Sequence, residues 1–87
     1  MNEQALKDKR GIKYGKILSD TKGNSTIYDK MNSKLGTIKL DSSSHLIAYD
    51  KMNRKLATYD MKLDATKDSM GRKLGKGNML LNFFFPQ

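Results

Sequence analysis

The chain offers few side chains with obvious chemical capability. His45 is its only histidine and follows Ser42, Ser43 and Ser44. A nucleophile needs an adjacent base oriented by a third group, and adjacency in sequence does not supply that geometry. The serines therefore read as a polar loop leading into a strand. Aspartates recur at Asp20, Asp29, Asp41, Asp50, Asp60 and Asp68. A calcium loop needs several oxygen ligands converging within one short segment. Here each turn offers one carboxylate, followed by Lys30, Lys51 or Arg72. With no cysteine and one histidine, zinc ligation has no donor set. Gly75-Lys76-Gly77-Asn78 lacks the strand-loop-helix spacing of a phosphate loop. These residues predict no catalytic, cofactor or metal site, and the chain reads as non-enzymatic.

The aspartates belong to a repeat. Tyr28-Asp29-Lys30-Met31-Asn32-Ser33-Lys34-Leu35-Gly36 returns as Tyr49-Asp50-Lys51-Met52-Asn53-Arg54-Lys55-Leu56-Ala57, and again as Lys67-Asp68-Ser69-Met70-Gly71-Arg72-Lys73-Leu74-Gly75. Ser19-Asp20-Thr21-Lys22-Gly23 reads as a weaker copy. The kernel Asp-x-x-(Asn/Gly)-x-Lys-Leu has the chemistry of a tight turn. The Asp carboxylate folds back onto backbone N–H groups, and Asn or Gly tolerates positive φ three residues later. Lys-Leu then starts the returning strand. Segments between the turns, such as Leu35–Leu40 and His45–Tyr49, are rich in Ile, Thr and Tyr and suit a pleated surface. Turn signals every eight to twelve residues predict an antiparallel meander. The expectation is an all-β fold of about four hairpin units in a pseudo-symmetric, closed or flower-like arrangement, because a single hairpin cannot bury its apolar face alone.

The ends differ from the middle. Residues 1–11 read as a flexible or briefly helical segment, and residues 12–87 as one hairpin-repeat domain. Asn78 is placed to cap the apolar run Met79–Phe85, a closing strand or short helix that Pro86 stops.

The Tyr-Asp-x-x-Asn-x-Lys-Leu units, followed by Gly71-Arg72-Lys73-Leu74-Gly75-Lys76-Gly77-Asn78-Met79-Leu80, resemble the small bacterial β-flower proteins. The resemblance covers roughly residues 17–82 and implies hairpins radiating about a central pseudo-rotation axis. It implies no activity. The turns are also similar to YD-type repeats, with Asn32 and Asn53 where those carry glycine.

Two binding surfaces follow, and the first makes the chain a protein-interaction module. Three adjacent aromatics cannot all face one core, so Met79, Leu80, Phe83, Phe84 and Phe85 form a candidate interface for a protein partner or a second copy. Formal charge is +8, from 14 lysines and 3 arginines against 9 acidic residues. Lys30, Lys34, Lys51, Arg54, Lys55, Arg72 and Lys73 recur at matching turn positions and form a candidate patch for an anionic partner, with nucleic acid as the alternative to a protein. Tyr14, Tyr28, Tyr49 or Tyr59 would then stack on bases. Met31, Met52 and Met70 are expected to pack on neighbouring hairpins. The charged N-terminus and the absence of a long apolar run predict a cytoplasmic protein with no membrane role.

Overall fold

The computed structural model describes residues 2–41 and 44–85. Ser42, Ser43 and Pro86, which carry the serine–histidine reading and the proline stop, lie outside the described residues.

The turn chemistry sets the architecture. Asp50 Oδ1 accepts hydrogen bonds from the Met52 and Arg54 N–H groups, both at 2.9 Å. The Asp50 N–H donates to the Arg54 carbonyl, and the Asn53 N–H returns to the Asp50 carbonyl. Asn53 takes φ +66°, the left-handed conformation that the ring of bonds demands. The same set recurs at Asp29 with Asn32 (φ +66°) and at Asp68 with Gly71 (φ +85°). It also occurs at Asp8, whose carboxylate accepts from Arg10 and Ile12, with Gly11 at φ +81°. Asp20 accepts likewise from Lys22 and Asn24.

These turns join eight antiparallel strands in a single sheet of order β1 to β8. The strands are β1 (Asn2–Lys7), β2 (Lys13–Ser19), β3 (Ser25–Asp29), β4 (Lys34–Asp41), β5 (His45–Asp50), β6 (Lys55–Asp60), β7 (Ala65–Asp68) and β8 (Lys73–Lys76). The all-β expectation holds, and two expectations are corrected. Residues 2–7 are a strand, paired with β2 from Asn2↔Ser19 to Lys7↔Lys13, in place of the flexible or helical segment expected there. The reason is that Asp8–Ile12 is a full turn of the repeat, and a turn needs a strand on each side. Among the described residues β1 and β8 are the ends of the sheet and do not pair with each other, so the sheet is not closed through its strands. The edges are protected differently. Glu3 of β1 forms an ion pair with Lys16 at 3.3 Å, and β8 is only four residues long with a lysine at each end.

Register gives the sheet its inner face. The residue opposite Gly15 is Leu6, opposite Gly36 is Ile27, opposite Ala57 is Ala48, and opposite Gly75 is Thr66. In each pairing the register shifts at the next residue, a bulge that re-aims the chain into its turn. Leu6, Ile27 and Thr66 on odd strands thus face glycine on even ones, and Ala48 faces Ala57. The space beside the small residues is filled by the C-terminal segment, which holds one 3-10 turn at Leu80–Phe83. Ile27, Ile38, Ala48, Ala57, Leu80 and Phe84 form the buried cluster. Phe84 lies against Gly36, Phe85 against Gly15 and Met79 against Gly75. Contacts with β2, β4 and β8 from seven consecutive residues require a sheet curved around them.

The plug is held by hydrogen bonds as well as packing. Thr66, fully buried, donates to the Gly77 carbonyl at 2.7 Å and accepts from the Met79 N–H at 3.0 Å. Other units carry Leu6, Ile27 or Ala48 at that position, so the one polar member is where the chain turns inward. Asn78 Oδ1 accepts from the Leu80 N–H at 3.0 Å.

Candidate polyanion interface

In a meander, alternate turns fall at alternate ends of the sheet. The turns after β1, β3, β5 and β7 therefore share one rim. Their last paired residues are Lys7↔Lys13, Tyr28↔Lys34, Tyr49↔Lys55 and Lys67↔Lys73. The four segments bounded by these pairs hold twelve of the basic and four of the acidic residues, which is the whole net charge of +8. The rest of the chain carries five of each sign and is neutral.

All seven predicted cations, Lys30, Lys34, Lys51, Arg54, Lys55, Arg72 and Lys73, lie on this rim and are exposed. Lys7, Lys9, Arg10 and Lys13 join them. Sequence reasoning passes over that turn, although stepping back 21 residues from Asp29 and Asn32 lands on Asp8 and Gly11.

The four rim carboxylates, already counted in that net charge, each turn Oδ1 onto two backbone N–H groups of their own turn. Asp50 and Asp68 are held below the ordinary carboxylate value, chiefly by the backbone N–H groups of Arg54 and Arg72. Arg54 Nε also meets Asp50 Oδ2, and Arg72 Nε meets Asp68 Oδ2, both at 2.9 Å. These surface pairs are solvent-screened and orient the guanidinium groups more than they stabilise the fold.

No family model, curated protein or solved structure matches this chain.

The other predicted surface is rearranged. Leu80 and Phe84 are buried in the core, and Phe85 sets its ring edge-on to Tyr14 at 4.9 Å. Phe83, 36% exposed, is the aromatic that faces outward. The small residues at 15 and 36 make an inner home for the other two rings, a role that the tail taken alone does not suggest. The methionines also depart from expectation. Met31, Met52 and Met70 are 76%, 69% and 79% exposed, because the i+2 position of each turn points away from the sheet. His45 pairs with Asp60 across β5 and β6, Nε2 to Oδ2 at 3.2 Å. No group of three metal-ligating side chains converges among the described residues.

A cleft opens beside the rim at the first turn. Its volume is 680 Å³, and Lys7, Asp8, Lys9, Tyr14, Leu81, Asn82, Phe84 and Phe85 line it.

Proposed function

We propose that this chain is a non-enzymatic nucleic-acid-binding protein that grips the phosphate backbone with its cationic rim. The observation that carries the reading is the partition of charge: the rim holds the entire net charge, and the rest of the chain is neutral. A one-sided positive field raises the local concentration of a polyanion and orients its approach. Four copies of one turn, set as flower-like hairpin units around the C-terminal plug, repeat the cations at regular intervals. That suits a ligand whose charge also repeats. Lysine predominates over arginine, so binding is driven by charge and counterion release, with little base readout expected from the rim.

A protein partner is the second reading, favoured by Met31, Met52 and Met70 standing exposed between the cations. Self-association through the tail has less support, since Leu80 and Phe84 are already engaged within the chain.

Fluorescence anisotropy with labelled oligonucleotides across a salt series tests the proposal. The expected result is binding at low salt that weakens linearly in log–log form. Absence of binding at low salt, or binding to anionic lipid vesicles in preference to any oligonucleotide, overturns it.

A further inference from the structure

We infer that the cleft between the first turn and the C-terminal segment is a base-binding pocket, so that the rim's ligand is single-stranded. This rests on the nucleic-acid reading and adds the class of strand.

The cleft joins two chemistries. Lys7 and Lys9 belong to the rim and line the cleft, with Asp8 between them turned onto the backbone of its own turn. Tyr14 and Phe85 supply aromatic surface to the cleft, the two rings edge-on, beside the largely buried Phe84. Asn82 is exposed at the cleft, and its amide carries both donors and an acceptor, the pattern that a base edge requires. A volume of 680 Å³ falls in the range of small-ligand sites.

The repeat identifies Tyr14 as a departure. Its equivalents, one position before the small strand residue, are Leu35, Leu56 and Leu74. Only the hairpin beside the cleft carries an aromatic there, and Tyr14 is 38% exposed. The rings of Tyr28 and Tyr49 are occupied differently: Lys16 Nζ lies 5.2 Å from one and Lys39 Nζ 5.4 Å from the other. An unstacked base can enter the cleft beside Tyr14 while its flanking phosphates meet Lys7 and Lys9. A duplex offers no free base without unpairing, and stacking on an aromatic ring accepts any base.

The test uses the full chain and three probes, compared per phosphate: a labelled twelve-nucleotide thymidine strand, the same strand with abasic sites throughout, and a G·C-rich duplex long enough to stay paired at low salt. The wild type is expected to bind the thymidine strand about tenfold tighter than the abasic strand. Tyr14→Leu restores the repeat's own residue and so is compatible with the fold. It is expected to remove that preference while leaving abasic and duplex binding unchanged. Asn82→Ala, at an exposed site, is expected to narrow the preference without affecting stability. Equal wild-type binding of the thymidine and abasic strands, or a preference that survives Tyr14→Leu, overturns the pocket and leaves the rim standing. Failure to bind any of the three probes at low salt overturns both.

Discussion

The ring of Phe84 occupies the space that a side chain on residue 36 would need. A Cβ built on Gly36 stands 2.5 Å from Phe84 Cε1 and also collides with the Tyr49 carbonyl. Neither the carbonyl of a paired strand nor a ring buried in the core can yield cheaply. Gly36→Ala is therefore expected to destabilise the protein by about 1–3 kcal/mol through overpacking. Chemical denaturation measures it, and Gly36→Ala combined with Phe84→Leu should recover part of the loss. A neutral Gly36→Ala would mean that the ring does not sit there.

Leu80 is the largest side chain that the C-terminal segment buries completely. Leu80→Ala should cost about 2–5 kcal/mol. In so small a domain that is a large part of the total stability. The expected outcome in circular dichroism is a markedly lowered melting temperature. Phe83→Ser, at the outward-facing ring, should leave melting nearly unchanged.

The positive φ at Asn32 and Asn53 gives opposite expectations for two small residues. Asn53→Ala should lose about 1 kcal/mol, because an L side chain without a local hydrogen bond is disfavoured there. Asn53→Gly should be close to neutral. Thermal melts of the pair separate backbone strain from any role of the amide.

The carboxylates of Asp20, Asp50 and Asp68 are held below their ordinary value of 3.8, first by the backbone N–H groups of Asn24, Arg54 and Arg72. A lowered folded-state value means the unfolded chain takes up protons first as pH falls. The contribution of these groups is thus fully present above 3.8 and is lost as pH drops toward the folded value. Melting temperature should be flat above about pH 5 and decline below it. Asp68→Asn should lower the plateau and flatten the acid limb. An unchanged acid limb in Asp20→Asn, Asp50→Asn and Asp68→Asn combined would contradict this account.

Much of the fold is written in the repeat. Asp29, Asp50 and Asp68 announce their turns because an Asx turn is a local matter between a carboxylate and the next few N–H groups. Strand order follows from turn spacing. The first turn is harder to read because Asp8-Lys9-Arg10-Gly11-Ile12 lacks the flanking Tyr and Met of the later copies. Its kernel of Asp and Gly nevertheless stands at the repeat distance. The tail is illegible for a different reason: the seats for Phe84 and Phe85 are made by absent side chains at Gly36 and Gly15, far away in the chain. The rim cations are identifiable one by one. That they hold the whole net charge becomes visible only when the meander sorts the turns by end.

If the rim binds phosphates, neutralising it should change salt dependence in proportion. Lys51→Gln, Arg54→Gln and Lys55→Gln together are expected to reduce the magnitude of the log–log salt slope for single strands by about 0.7 for each phosphate that the variant no longer neutralises. The same number of substitutions away from the rim, Lys22→Gln, Lys62→Gln and Lys76→Gln, should leave it unaltered. Equal effects from the two sets would show that position on the molecule does not matter.

The plug has a consequence for biosynthesis. Ile27 finds its core partner Leu80 only after 53 further residues have been added. Until then a nascent chain carries its hairpins with the inner face wet and the seats at Gly15 and Gly36 vacant. The cooperative unit is sealed by residues 79–85, so these must be synthesised before the earlier strands are locked in place.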